Sequence, residues 1–429
     1  MRVTPAHSIK GKLRLPGDKS ISHRAALIAA LASTPSEISN FSTARDCAST
    51  VSCLRELGIS IEDKNGKLFF PGGQTFIAPK KPLDCGNSGS TLRILAGVLA
   101  GHDLSAELVG DESLSSRPMR RIIEPLELMG AKIESTDGKA PLKIQGSKKL
   151  TSITYKLPIA SAQVKSAILF AGLNADGRTT VIESSQSRDH TERLFNGFGV
   201  PVTTNADLSV TLDGPGRFTG GSITIPGDVS SAAYFVAAAM LLAESELTIE
   251  DVGLNPTRAA FLTVLSSWGA DISTADVQTD RNEPYGTIKV RGGITQTTGE
   301  DERKLSRSMI PSLIDELPLL AVVGSQIPGG IQIRDASELR LKESDRLATT
   351  AVNLRAMGAE VEEFEDGLAV SGPTRLRGAR IDSHGDHRIA MAFSIAALIA
   401  DGETEIYGSE CAGISFPEFF GLLESLTVR

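Results

Sequence analysis

Aromatic residues make up 5% of this 429-residue chain, which carries a single tryptophan. Its core must therefore be built from aliphatic side chains and alanine. The four cysteines, Cys47, Cys53, Cys85 and Cys411, form no Cys-x-x-Cys pair, which excludes a disulfide framework and the usual zinc spacings. Scattered thiols in a chain this long are expected to be reduced and mostly buried, which points to the cytoplasm. No segment reaches the ~18 uninterrupted apolar residues of a membrane span. The longest, "AAYFVAAAMLLA", reads as a buried helix, and "MRVTPAHSIKGKLRL" at the start lacks the apolar centre of a signal peptide. Positive charge is also short, with 44 Lys and Arg against 52 Asp and Glu, a net charge of −8. That balance argues against a nucleic-acid or membrane partner, because both need an extended basic face. G-x-S-x-G, G-x-x-x-x-G-K-[ST] and nucleotide-binding fingerprints are all missing.

What the chain has in quantity is glycine, 41 residues, within an ordinary α/β composition of 41% apolar and 22% charged residues. Its length exceeds what one core usually serves, so two domains of roughly 200 residues are expected. A repeat with a period near 70 residues sets their interior: a helical segment ending Leu-x-x-x-Gly, then a strand, a turn and a second strand. It recurs as "CLRELGISIEDKNGKLFFPG", "PLELMGAKIESTDGKAPLKIQG", "LFNGFGVPVTTNADLSVTLDG", "VLSSWGADISTADVQTDRNEPYGTIKVRG" and "NLRAMGAEVEEFEDGLAVSG". Gly58, Gly130, Gly199, Gly269 and Gly358 fall where a left-handed cap closes a helix, and "FFGLLESL" reads as a truncated sixth copy. Between the copies lie six Ala-rich segments, among them "HRAALIAALA" and "HRIAMAFSIAALIADG", too apolar on every side for surface helices. Three repeats per domain is the simple division. "LPGDKS" and "IPGDVS" look like the openings of the two halves, so the expected lobes are 14–226 and 1–13 with 227–429.

The chemistry is concentrated where the buried helices begin. "GDKSISHR", "DCGNSGSTLR", "PIASAQVK" and "HGDHR" put small, hydroxyl and cationic residues at helix starts, where free amide hydrogens and the helix dipole favour an anion. Any one cluster reads equally as a cap, Ser20 or Asn87 for example, beside a solvated base. Four on successive repeats, with Lys19, Arg24, Arg93, Lys165 and Arg388 one turn inside, point instead to an anionic ligand held in an interdomain cleft. Further cations stand in "SSRPMRR", "SRDHTERL" and "LRLKESDRL". In "SLIDELPLLA" either Asp315 or Glu316 is the buried carboxylate, as a cap or as a general base. His384 and His387 in "HGDH" have a metal-ligand look without a third ligand cluster, so no metal is expected.

"LPGDKSISHRAALIAALA", "GNSGSTLR", "RPM", "SAQVKSAILFAGL", "LKESDRL" and "GDHRIAMAF", in this order along the chain, resemble the 5-enolpyruvylshikimate-3-phosphate synthases. The resemblance implies two lobes, each of three βαβαββ units with helix N-termini facing an interdomain cleft. It also implies transfer of the enolpyruvyl group of phosphoenolpyruvate to the 5-hydroxyl of shikimate 3-phosphate, in the shikimate pathway of aromatic amino acid biosynthesis, by a monomer needing no cofactor. Carried over residue by residue, Lys19, Ser20, Arg24, Ser161, Ala162, Gln163, Arg188, Asp315 and Lys342 would hold shikimate 3-phosphate. Lys19, Gly89, Arg117, Gln163, Arg346, His387 and Arg388 would hold phosphoenolpyruvate. Asp315 would be the base on the 5-hydroxyl, Glu343 the acid protonating the methylene carbon, and Lys19 a charge stabiliser or second proton carrier. "GDKS", "SAQVK", "RDHTE" and "NPTR" are similar to the bacterial branch known for glyphosate tolerance, whereas Gly89 is similar to the glycine of sensitive enzymes. Ile414 stands where the sensitive branch has lysine. The sister transferase acting on UDP-N-acetylglucosamine would carry a cysteine in "GDESLSSRPM", where none occurs. A non-catalytic anion binder on the same scaffold would have no reason to keep both Asp315 and Glu343.

Overall fold

The structure is a computed structural model that describes residues 1–294 and 299–429. The chain folds as two compact units. Pro16–Pro226 with Thr279–Glu283 form the N-unit, and Met1–Leu15, Gly227–Gln278 and Pro284–Arg429 form the C-unit. Arg14 and Leu15 stay with the C-unit because Ser8–Arg14 runs parallel to Glu246–Gly253 as far as the Arg14–Glu250 pair, and Leu15 is buried in that core. Thr279–Glu283 is the tip of the hairpin Ala270–Asp280/Glu283–Ile294. It belongs to the N-unit through Arg281, which donates to the carbonyls of Ser222 and Gly197 and lies 4.6 Å over the Phe198 ring.

Among the described residues six helices are buried: α1 (Lys19–Leu31), α2 (Gly89–Ala100), α3 (Ala162–Gly172), α4 (Val229–Leu241), α5 (Leu317–Gly324) and α6 (His387–Leu398). These are the Ala-rich segments of the sequence. Small side chains let helix backbones approach, and α2 and α3 show the limit of it. A Cβ on Gly97 would sit 2.1 Å from the Ala167 carbonyl oxygen, so any side chain there forces the two helices apart. The few aromatics fill what alanine leaves open: Phe170, Phe195 and Phe218 meet edge to face with centroids 4.9 and 4.8 Å apart in the N-unit.

Each repeat follows its buried helix with a strand, an amphipathic helix and a hairpin. The amphipathic helices end at the expected glycines, and all five have positive φ, from +85° at Gly58 to +105° at Gly130. In the first N-unit sheet, Gly221–Thr224 lies parallel to Ser36–Ser39, which pairs antiparallel with Lys67–Phe70 and so with Glu62–Lys64. The sheets built on Ser105–Val109 and Ala175–Ile182 repeat that plan. The sixth copy departs from it. After Phe419–Leu426 the chain makes only the short strand Thr427–Val428 against Ser8–Arg14, and Arg2–Val3 supplies the antiparallel neighbour of Thr404–Tyr407. All four cysteines are free and buried, and among the described residues no helix is long and apolar enough to cross a membrane.

Candidate active site

In the N-unit the starts of α1, α2 and α3 are capped by Asp18, Ser88 and Ser161, which accept from the amides of Ile21, Thr91 and Val164. Ser20 and Asn87, the caps suggested by sequence, are not the capping residues. The Ser20 backbone carbonyl accepts from Arg24 Nη1 at 2.9 Å, and the Asn87 side-chain Oδ1 accepts from Arg117 Nη2 at 2.9 Å. Asp18, two residues before Ser20, and Ser88, one residue after Asn87, take the Ile21 and Thr91 amides instead.

Arg24 is buried, donating from Nε to Thr191 Oγ1 and from Nη2 to Ser166 Oγ, both at 2.7 Å. Burial pushes its pKa down to about 10, against the pull of Glu192, with Arg188 adding to the fall. Lys19 Nζ lies 3.0 Å from Asp46 Oδ2. At α2, Arg93 Nη1 donates to Gln163 Oε1 at 2.6 Å and Gln163 Nε2 donates to Ser90 Oγ at 2.9 Å, so α2 and α3 present one polar edge. Gly89 opens α2 beneath it, where an added Cβ would lie 2.7 Å from Arg93 Nη1 and 3.5 Å from Arg117 Nη1.

The C-unit holds a denser array. Arg346 is buried, with Nε 2.8 Å from Asp386 Oδ2, Nη2 2.6 Å from Glu343 Oε2 and Nη1 3.3 Å from Asp315 Oδ1. Arg388 Nη2 and Arg258 Nη1 lie 3.7 and 3.6 Å from Asp315 Oδ2. Desolvation alone would weaken the charge on Arg346, but Asp386, Glu343 and Asp315 outweigh it and raise its pKa. Burial drives the Tyr234 phenol up to about 12, although Arg388 pulls the other way. Asp228 and Asp386 cap α4 and α6, so at α6, one of the four helix starts expected to face an anion, the chain's own carboxylate takes a free amide hydrogen. Among the described residues no group of three or more His, Cys, Asp or Glu side chains is placed to hold a metal ion.

Over residues 3–423 the sequence matches the family model of EPSP synthase (3-phosphoshikimate 1-carboxyvinyltransferase). The chain belongs to the EPSP synthase family. It is 50% identical to the 3-phosphoshikimate 1-carboxyvinyltransferase of Koribacter versatilis, covering 100% of this chain and 99% of that one. The EPSP synthase structure from Acinetobacter baumannii superimposes with a TM-score of 0.87 at 38% identity, covering 100% and 98% of the two chains. The enolpyruvyl transferase NikO from Streptomyces tendae, 18% identical with a TM-score of 0.79 over 99% of this chain and 96% of its own, shares the fold. The architecture is the two-domain enolpyruvyl transferase fold.

Among the residues expected in an EPSP synthase site, the C-unit brings Asp315, Glu343, Arg346 and Arg388 into one ion-pair network. Lys342 adjoins it in sequence, half-buried, and His387 is the buried first residue of α6. In the N-unit, Gly89 and Gln163 lie against Arg93 with Arg117 close to Gly89, while Lys19, Ser20 and Arg24 fall within the first two turns of α1. Ser161 and Ala162 open α3, and Arg188 is half-buried two residues before the helix His190–Gly197. Of the two candidate carboxylates, Glu316 is the buried one at 1% exposure, and the Ser230 hydroxyl donates to it. Lys165 does not act as expected. Its ammonium is 2.7 Å from Glu183 and 2.6 Å from Glu192, with all three side chains at most 4% exposed. A lysine balanced by two buried carboxylates leaves no charge over for a ligand. Ile414 packs against the C-unit core and contributes no cation. Sequence reasoning assigned no role to Arg258, Asp386, Asp228 or Asp46. Asp228 and Asp386, like Asp18, stand in a Gly-Asp dipeptide before a buried helix, whereas Arg258 and Asp46 carry no such signal.

Proposed function

We propose that the residues gathered at these helix starts bind the two substrates and move the protons of the family's reaction. The chain transfers the enolpyruvyl group of phosphoenolpyruvate to the 5-hydroxyl of shikimate 3-phosphate and releases phosphate. Each substrate is a polyanion, and guanidinium groups suit both carboxylate and phosphate because their paired N–H donors match two oxygens at once. Lys19, Ser20, Arg24, Ser161, Ala162, Gln163, Arg188 and Lys342 take shikimate 3-phosphate. Lys19, Gly89, Arg117, Gln163, Arg346, His387 and Arg388 take phosphoenolpyruvate, and glyphosate competes there, with Gly89 setting how strongly.

Addition joins the 5-hydroxyl oxygen to C2 of phosphoenolpyruvate, passes the hydroxyl proton to Asp315, and delivers a proton to the methylene carbon from Glu343. Elimination then returns a proton from the new methyl group to the Glu343 carboxylate and expels phosphate, which takes the proton held by Asp315, so both carboxyl groups end as they began. The observation carrying these roles is the single network of Asp315, Glu343, Arg346 and Arg388. Asp315 beside three guanidiniums is favoured as the ionised base. Glu343 is paired to Arg346 at 2.6 Å and so favours its ionised form as well. A phosphoenolpyruvate that takes Arg346 away leaves Glu343 without its cation, which raises its proton affinity as the acid becomes necessary.

Phosphate release by the purified protein is expected only when both substrates are supplied. Release from phosphoenolpyruvate alone, or with UDP-N-acetylglucosamine as acceptor, would refute this reading. Glu343→Gln is expected to lower kcat by about 100-fold or more, with the KM for shikimate 3-phosphate within a few-fold of the parent. Near-normal turnover would remove Glu343 from the acid role.

A further inference from the structure

Arg258 is the one guanidinium near Asp315 to which no substrate role is assigned above. It is 2% exposed, in "NPTR" just before the helix Ala260–Ser267. Nη1 is 3.6 Å from Asp315 Oδ2, and Nη2 is 3.6 Å from Asp228 Oδ1 and 2.5 Å from the Ser230 hydroxyl oxygen. That hydroxyl donates onward to Glu316, whose other neighbour is Arg388 Nη1 at 3.9 Å. Arg258 is thus locked to the cap of α4 on one side and faces Asp315 on the other.

The other charges around Asp315 are committed differently. Arg346 is shared among Asp315, Glu343 and Asp386, and Arg388 between Asp315 and Glu316, with Tyr234 beside it. A bound phosphoenolpyruvate would draw both toward itself. Lys342 and His387 stand next to the same groups in the chain. When substrate claims Arg346 and Arg388, Arg258 is the guanidinium of these three that stays to keep Asp315 ionised.

We propose that Arg258, held by Asp228 and Ser230, is a positioning residue that fixes and ionises the base Asp315 while the substrate occupies the neighbouring arginines. This rests on the assignment of Asp315 as base. An opposite charge within ~4–6 Å lowers a carboxylate pKa by about 1–3 units, so its loss moves the acid limb of the rate profile upward.

The experiment is the pH profile of kcat, followed by phosphate release from pH 5 to 9 at saturating phosphoenolpyruvate and shikimate 3-phosphate. Arg258→Gln is expected to raise the acid limb by about one unit or more and lower kcat at pH 7 by about 10-fold or more, with both KM values within about threefold of the parent. An acid limb superimposed on the parent's overturns the proposal, whatever the fall in kcat, since a purely structural arginine lowers the profile without shifting it. If the glutamine variant does not fold, Arg258→Lys carries the test. Its ammonium keeps the charge without the fork that joins Asp228 to Asp315, so its limb is expected between the two, and a limb at the parent position again overturns the idea. Asp315→Asn separates the failures. Parent-like turnover in that variant refutes the base itself, whereas an inactive Asp315→Asn with an unshifted Arg258→Gln profile refutes only the role of Arg258.

Discussion

Replacing Lys165 with methionine keeps most of the side-chain volume and removes the charge that two buried carboxylates depend on. Glu183 and Glu192 lie 2.7 and 2.6 Å from the ammonium, and burial already holds Glu192 above the usual carboxylate range. Breaking a buried ion network by deleting one partner costs about 3–5 kcal/mol, because uncompensated charge remains inside. For a unit near 200 residues, each kcal/mol is worth ~2–4 °C in Tm, so Lys165→Met is expected to melt about 10 °C below the parent at pH 8. The sign of the pH dependence follows from the carboxylates. Without the lysine the folded pKa of Glu192 rises further above the unfolded value near ~4.3, so folding favours its protonated form. The penalty therefore starts near the unfolded pKa and grows with pH up to the folded one. Calorimetric melts at pH 5 and pH 8 should show a much smaller deficit at pH 5, and Lys165→Met with Glu192→Gln should recover part of the loss at pH 8. Equal deficits at the two pH values would refute the claim that unpaired carboxylates, rather than lost packing, carry the cost.

Gly89→Ala should gain up to about 1 kcal/mol of helix stability. Its Cβ must push Arg93 Nη1 back from 2.7 Å by about 0.7 Å to reach ordinary contact, which loosens the 2.6 Å bond to Gln163. The expected readout is a KM for phosphoenolpyruvate raised roughly tenfold, with a higher glyphosate IC50; an unchanged KM would mean that Arg93 relaxes without consequence. His23 is buried, bonded through Nδ1 to Thr50 Oγ1 at 2.7 Å, and burial holds its pKa well below the usual value. The unfolded chain therefore takes up the proton first, and stability from this group is lost as pH falls below ~6.5, by up to ~1.4 kcal/mol per unit. Urea midpoints of His23→Asn should fall less steeply than the parent's between pH 6.5 and 5, and parallel slopes would count against this account.

The repeat was legible because its signals are local: the glycine that ends each amphipathic helix, the alanine-rich run that follows, and the alternation of the hairpin. The hairpin tip Thr279–Glu283 was not, because its membership of the N-unit rests on Arg281 reaching the Gly197 and Ser222 carbonyls, far away in sequence. The site divides the same way. Lys19, Arg24, Arg346 and Arg388 stand at helix starts, a position the sequence displays. What each cation is spent on is set by partners elsewhere in the chain. Lys165 looked like Arg24 in sequence, but Glu183 and Glu192 balance it, whereas Arg24 meets the hydroxyls of Thr191 and Ser166 and a backbone carbonyl. Arg258 stood in the sequence only as the last residue of the "NPTR" motif, with no role attached, and only tertiary contact brings it to Asp315.

The interrupted C-unit has a consequence for how the chain reaches its fold. Ile9 donates its amide hydrogen to the Ser245 hydroxyl 236 positions later, a contact that would cost a flexible chain ~5 kcal/mol of closure entropy. The N-unit removes most of that cost in advance, because its own ends meet: the Asp18 amide donates to the Pro226 carbonyl at 2.8 Å. Once that insert has folded, Leu15 and Gly227 emerge side by side, and a separation of more than two hundred residues becomes, for the strand Ser8–Arg14, a step between neighbours. Order of synthesis suits this route, since Pro16–Pro226, all of the N-unit but its hairpin tip, leaves the ribosome before Glu246–Gly253, the parallel partner that Ser8–Arg14 awaits.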